Sequence, residues 1–222
     1  MNTFPYPMPD AATVYDAVIL ADGDYPEAGL PAAVLRNARH VVCCDGAADR
    51  YAAHGGTPSA IVGDGDSVSR ATTERFADRF VRIGEQETND LSKAFRYCLA
   101  QGYTRLAILG ATGRREDHTL GNIGLLPDYV RQADIRLLTP YGVFDAIHNR
   151  TAFASFARQQ VSLFTLSPAT RLHFEGLRYP APEEGLRAWW CGTLNEAEGD
   201  RFVIDTDGPT LVFRTYEPKN VR

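Results

Sequence analysis

Cysteine and clustered basic charge are what this sequence is short of. It holds only four cysteines, Cys43, Cys44, Cys98 and Cys191. None forms a Cys-x-x-Cys pair. Cys43 and Cys44 are neighbours on an expected strand and point to opposite faces, so neither a zinc site nor a disulfide frame is expected. The four read as small buried hydrophobes in a reducing compartment. No block of Lys or Arg occurs and the net charge is −5, which argues against nucleic acid as the main partner. A phosphorylated substrate stays open, because a bound metal can supply local positive charge. No apolar run reaches membrane-spanning length. The proline-rich stretch Met1 to Asp10 lacks the charged and apolar regions of a signal peptide. A cytoplasmic protein without membrane contact is expected. Internal repeats and low-complexity segments are also missing.

What is present is enough apolar material for a sizeable core: 44% of the 222 residues are hydrophobic and 23% are charged. The most telling stretch is Ile61-Val62-Gly63-Asp64-Gly65-Asp66-Ser67. Its apolar pair reads as the end of a buried strand. Two carboxylates then sit two apart, sharing a face if the segment is extended. Like charges that close repel unless a cation lies between them, and hard oxygen ligands suit Mg²⁺. The competing reading is an ordinary surface turn, since Asp, Gly and Ser all favour turns.

In chain order, strands are expected at 15–20, 40–44, 60–62, 80–83, 105–109 and 135–139. Helices are expected between them at 30–37, 47–54, 68–78, 91–101 and from 119 to 132, the last interrupted near Pro127. Asp22 and Asp24 imitate a calcium loop, but Pro26 stands where an oxygen ligand belongs, so that reading fails. Asp45 follows the second strand and small residues follow it, a common active-site position in parallel sheets. Asp90 opens a helix, where it either caps the backbone or binds a ligand. The segment Gly110-Ala111-Thr112-Gly113-Arg114-Arg115-Glu116-Asp117-His118 has glycines and arginines that suit an anion. It is not a P-loop, because no Gly-Lys-Ser/Thr follows. Alternating strands and helices imply a parallel sheet. Asp45, Asp64, Asp66, Asp90 and Asp117 are expected to converge at its carboxyl edge, where such sheets bind ligands.

After about Pro140 the pattern changes. Short β-branched and aromatic runs at 143–147, 161–166, 171–174, 186–191, 201–205 and 210–214 read as a small antiparallel β-sandwich. Trp189 and Trp190 fall in one of these runs, so one is expected inside and one outside. The outer one is a lone surface aromatic, a dimer contact or a stacking platform for a flat cation. The expected architecture is α/β: an N-terminal Rossmann-like parallel sheet with flanking helices (1–140) plus a C-terminal antiparallel β-sandwich (141–222).

Four ordered motifs carry a resemblance. Cys44-Asp45-Gly46-Ala47-Ala48, Gly63-Asp64-Gly65-Asp66-Ser67, Gln86-Glu87-Thr88-Asn89-Asp90-Leu91, and the run from Gly110 to Asn122 are together similar to those of the thiamine pyrophosphokinase (thiamine diphosphokinase) family. Gly192-Thr193-Leu194-Asn195 resembles that family's Gly-Thr-Ser-Asn, with Leu194 in place of the serine. Glu85 stands where the family commonly has Asp, and Asp22 where an Asn-Gly pair is common. The resemblance implies transfer of diphosphate from ATP to the hydroxyl of thiamine, with AMP as the other product. It implies Mg²⁺ on Asp64, Asp66 and Asp90, the last also as candidate base. Asp45, Gly63, Gly110, Gly113, Arg114, Asp117 and His118 would form the nucleotide and phosphate region. Gln86, Asp90, Thr193, Asn195 and Trp190 would meet thiamine. It also implies a homodimer whose site joins the α/β part of one chain to the β part of the other. Two rivals remain: another Mg²⁺-dependent nucleotide or sugar-phosphate enzyme on the same scaffold, and a non-catalytic thiamine or nucleotide sensor.

Overall fold

The computed structural model describes residues 5–219. The first four residues of the proline-rich stretch and the last three of the expected sandwich domain lie outside them. The chain divides into two compact units, residues 11–140 and residues 141–222 together with 1–10.

The first unit alternates strand and helix: β1 Ala17–Leu20, α1 Gly29–Asn37, β2 Val41–Cys44, α2 Ala47–Ala53, β3 Ala60–Gly63, α3 Arg70–Arg75, β4 Phe80–Arg82, α4 Asp90–Ala100, β5 Arg105–Leu109, α5 Glu116–Gly124, α6 Leu126–Tyr129 and β6 Asp134–Leu138. The strands pair in parallel in the order β6-β5-β1-β2-β3-β4. Every residue of β1, β2 and β3 is buried, as near-continuous apolar runs require when helices cover both faces of a sheet. Chain direction across the sheet reverses between β1 and β5. The loops leaving those two strands therefore open a crevice at the carboxyl edge.

Two helices differ from expectation for local reasons. Ser69 caps α3 by accepting from the Thr72 N–H, but the helix stops at Arg75 and a single 3₁₀ turn, Ala77–Arg79, finishes the segment. The helix expected from Thr119 begins earlier, at Glu116, and breaks at Leu125. Pro127 sits in the first turn of the second piece, where its missing N–H costs nothing.

The second unit is all β: β7 Gly142–Ile147, β8 Thr151–Ala154, β9 Gln159–Thr165, β10 Leu172–Glu175, β11 Gly192–Glu196, β12 Arg201–Thr206 and β13 Thr210–Pro218. One antiparallel set runs β11-β9-β13-β7 and a second sheet runs β10-β12-β8. Ile147, Val161, Leu163 and Val212 from the first meet Phe153, Leu172, Phe202 and Ile204 from the second in one apolar core. That is the sandwich the alternating pattern predicts. Residues near the N-terminus belong to this unit because Tyr6 exchanges backbone bonds with β8: its N–H donates to Ala152 O (2.6 Å) and its carbonyl accepts from the Ala154 N–H (3.0 Å).

Three expectations are corrected. The run 186–191 is not a strand; Trp189–Cys191 form a 3₁₀ turn and β11 begins only at Gly192. Without strand alternation neither tryptophan turns inward, and Trp189 and Trp190 are 57% and 62% exposed. Cys191 lies on the same turn and is exposed, unlike the other three cysteines.

Candidate functional site

The acidic groups are placed by two adjacent strand ends. Asp45 directly follows β2 and Asp64 directly follows β3. These strands are in register, with Cys44 opposite Val62, so the two carboxylates emerge side by side. Gly63 permits the approach, because a Cβ there would lie 2.7 Å from the Asp45 Cβ. Asp45 itself takes φ +29°, a conformation that L-residues rarely adopt. It is 1% exposed. Its Oδ2 accepts from the Ser67 N–H at 2.9 Å, whereas the buried Oδ1 has no hydrogen-bond partner. Ligand oxygens of Asp45, Asp64 and Asp66 all lie within 4.8 Å of one another.

Electrostatics follow from this crowding. Burial pushes the Asp45 carboxyl above its ordinary pKa, and the charges of Asp90, Asp64 and Asp66 push the same way, against the Ser67 hydrogen bond. Asp64 is held below the usual carboxylate range, first by Gln86, whose Nε2 donates to Asp64 Oδ2 at 2.7 Å, then by the Asp66 N–H. An orphaned buried carboxylate oxygen beside two more hard oxygen donors is a donor set that fits a divalent cation such as Mg²⁺.

Asp90 joins the group indirectly. Of its two expected roles the cap is excluded, because Asn89 caps α4 by accepting from the Ser92 N–H at 3.0 Å. Asp90 Oδ1 instead accepts from Lys93 Nζ at 3.0 Å, and the same ammonium lies 4.0 Å from Asp64 Oδ2. The Lys93 side chain is 3% exposed. Burial works against its charge, yet the Asp90 hydrogen bond and the charges of Asp90, Asp64 and Glu85 outweigh it and raise its pKa. The loop before α4 is tied by Glu85, which accepts from the Glu87 and Thr88 N–H groups, the Thr88 hydroxyl and Arg96. That knot sets Gln86 facing Asp64.

The crevice between β1 and β5 is built by interlocked loops. The Gly23 N–H donates to Gly110 O (2.6 Å) and the Asp24 N–H to Thr112 O (2.8 Å). Gly113 has φ +80°, and a Cβ there would come within 2.0 Å of Asp24 Oδ2, so no side chain fits. Arg114 donates to Asp22 Oδ2 at 2.9 Å, and Arg50 donates to Asp22 Oδ1 at 2.7 Å. One carboxylate thus holds two guanidinium groups at the crevice. Asn122 donates to Ala111 O and accepts from Asn89, linking this loop to the start of α4.

Asp117 does not join the acidic group. It pairs with Arg115 at 2.5 Å and accepts from the His118 N–H, on an exposed helix start, since an arginine two residues away satisfies it first. Sequence reasoning missed Lys93 and Arg50. The signal for Lys93 was an Asp–Lys pair three apart on α4, inside the helix's buried stripe. Arg50 left no signal, because its partner Asp22 is far away along the chain.

In the β unit, Asn195 is buried and its amide is spent on backbone: Nδ2 donates to Tyr179 O (2.8 Å), and Oδ1 accepts from the N–H groups of Tyr179 and Glu196. Thr193 donates to Trp190 O at 2.8 Å. Leu194 is 69% exposed with φ +62°.

Comparison with known proteins agrees with this architecture. Residues 32–138 match the model of the thiamin pyrophosphokinase catalytic domain, and residues 142–213 match that of its substrate-binding domain. No curated protein sequence matches. Among solved structures, thiamine pyrophosphokinase from Bacillus subtilis is similar at 21% identity and a TM-score of 0.72, covering 90% of this chain and 98% of that one. The Candida albicans enzyme is similar at 14% identity and a TM-score of 0.70, covering 91% and 90%. The yeast enzyme is similar at 17% identity and 0.70, covering 91% and 87%. These structural likenesses show the fold, and the two domain models, which between them take in most of the sequence, show the relationship: the chain belongs to the thiamin pyrophosphokinase family.

Proposed function

We propose that this chain is an ATP-dependent thiamine diphosphokinase acting as a cytoplasmic homodimer. The observation that carries the reading is the trio of carboxylates at the ends of β2 and β3, in a chain of this family. Among the described residues no helix is long and apolar enough to cross a membrane.

In the reaction, the thiamine hydroxyl oxygen forms a bond to the β-phosphorus of ATP. The bond from that phosphorus to the α,β-bridging oxygen breaks, and AMP leaves with the electron pair. Such transfers depend on positioning and charge neutralisation more than on covalent chemistry. Asp45, Asp64 and Asp66 would hold Mg²⁺, which when bound offsets charge on the phosphates, while Asp90, paired with Lys93, stands beside them. The crevice loops carrying Gly110, Gly113 and Arg114 accept the nucleotide, with Asp117 and His118 at its outer edge. Gln86 and Asp90 face the thiamine hydroxyl, and Asp90 takes its proton. Thr193, Asn195 and Trp190 would meet the aminopyrimidine. For Asn195 this role is played through backbone it holds in place, since its own amide is engaged.

The test is AMP release from ATP plus thiamine by the purified protein and by Asp66→Asn. Loss of metal-borne stabilisation of several kcal/mol predicts a rate loss of roughly a thousandfold. Near-normal turnover by the variant rejects the role of Asp66, and wild-type protein that leaves ATP intact with thiamine present rejects the reading itself.

A further inference from the structure

A buried ammonium is among the most expensive groups to fold around unless carboxylates pair it, and Lys93 finds its partners on the metal-binding rim itself. Lys93 projects from the first turns of α4 among the buried Leu91, Ser92, Ala94 and Phe95. Its Nζ touches Asp90 on its own helix and approaches Asp64 on the far side of the rim. It is the one cation found against these carboxylates among the described ion pairs, because Arg50 and Arg114 are committed to Asp22.

Resting on the reading above, we infer that Lys93 is a positioning residue that divides the rim in two. Its ammonium serves as the resident counter-ion for Asp90 and for one oxygen of Asp64. That leaves Asp45, Asp66 and the remaining oxygen of Asp64 to an exchangeable divalent cation. The lysine keeps the helix carboxylate from collapsing onto the metal, and so holds Asp90 toward the incoming hydroxyl. It also lowers the affinity of the nucleotide-free rim for metal by adding a positive charge nearby. The nucleotide's own phosphates restore that affinity, so the ion arrives with its substrate.

The charge half of this inference can be measured without turnover. Mn²⁺ is titrated into nucleotide-free protein and followed by its electron paramagnetic resonance signal. Removing one positive charge roughly 6 Å from a divalent ion, at the dielectric of water, is worth about a factor of ten in affinity. Lys93→Gln should therefore bind Mn²⁺ about tenfold more tightly than wild type, while Lys93→Arg, which keeps the charge, should stay within about twofold. Unchanged or weaker Mn²⁺ binding by folded Lys93→Gln overturns the inference, because a lysine that only supports the fold would not repel the ion.

Should Lys93→Gln fail to fold, Lys93→Arg decides the matter. A guanidinium cannot hold Asp90 in the same place, so kcat for AMP formation should fall at least tenfold with KM for thiamine little changed. A wild-type kcat in that variant overturns the positioning role. The Mn²⁺ titration needs no substrate, so absence of AMP formation in the wild type would count against the kinase reading and leave the counter-ion role to be decided by the metal data.

Discussion

The acidic rim of the α/β unit and the buried polar centre of the β unit treat charge in opposite ways. At the rim, Asp45 is buried with an orphaned oxygen, adopts a disfavoured backbone angle and crowds two more carboxylates. In the β unit, Arg214 is fully buried yet lavishly satisfied. Its Nε and Nη2 donate to Asp145, Nη1 donates to the carbonyls of Ala154 and Tyr6, Nη2 also reaches Pro7 O, and the guanidinium lies 4.8 Å from the Phe153 ring centroid. Both arrangements bury charge, but among the described ion pairs only the second sets an opposite charge against it, and strain of the first kind is kept where a ligand supplies the missing partner. The second sews residues 6 and 7 onto the sandwich and serves the fold.

The largest expected effect sharpens this contrast. Asp45→Asn keeps an acceptor for the Ser67 N–H and removes a charge the rim supports poorly. AMP formation should fall by roughly a thousandfold, a loss of about 4 kcal/mol of transition-state stabilisation, while the metal-free protein becomes more stable. The sign follows from the raised carboxyl pKa. A folded value above the unfolded one means that the contribution to stability is fully present below about pH 3.9 and is lost as pH rises through the raised value. The gain from asparagine should therefore be seen at neutral pH and vanish in acid, as melting curves across that range can show. A variant that is less stable at neutral pH would mean that Asp45 is structural after all.

The converse change in the β unit should do the reverse. Arg214→Met leaves Asp145 buried without its guanidinium and should cost about 3–5 kcal/mol in urea denaturation. A loss under about 1 kcal/mol would show that the pair is replaceable by packing. Asn195→Ala comes next. It strips partners from backbone groups of Tyr179 and Glu196, and leaving such groups unsatisfied costs about 1–3 kcal/mol. If Asn195 met thiamine directly, the same change would instead raise KM with little effect on melting.

How much of this was legible beforehand divides along the same line. The parallel sheet, its strand ends and the trio Asp45, Asp64 and Asp66 could be read because local signals agree: a buried apolar run, a glycine, then a carboxylate. Lys93 escaped because a lysine on a helix normally faces water, and only the fold shows that this one lies beneath the rim. Asp90 was left between cap and ligand because Asn89, one residue earlier, is an equally good cap and takes the role. The tryptophans were misjudged because β-propensity alone cannot tell a strand from a 3₁₀ turn. The strand Thr151–Ala154 was overlooked because its two alanines carry little β signal, and its pairing with Arg201–Ile204 supplies what its sequence lacks.

The smallest effect concerns Glu85, the knot behind Gln86. Hydrogen bonds from Thr88, with those from Arg96 and the Glu87 N–H, depress its carboxyl from an ordinary 4.5 to about 2. A depressed value means stability that is present above the ordinary pKa and is lost as pH falls toward the folded one. Glutamine would present an amide to donors that need an acceptor. Wild type should therefore melt above Glu85→Gln by a constant margin at neutral pH, and the margin should close between pH 4.5 and about 2. Activity should fall only a few-fold, because the loop would still carry Gln86 but hold it toward Asp64 less firmly. A margin that persists unchanged in acid would show that the glutamate acts through packing, and the loop would then owe its shape to the Asn89–Asn122 contact instead.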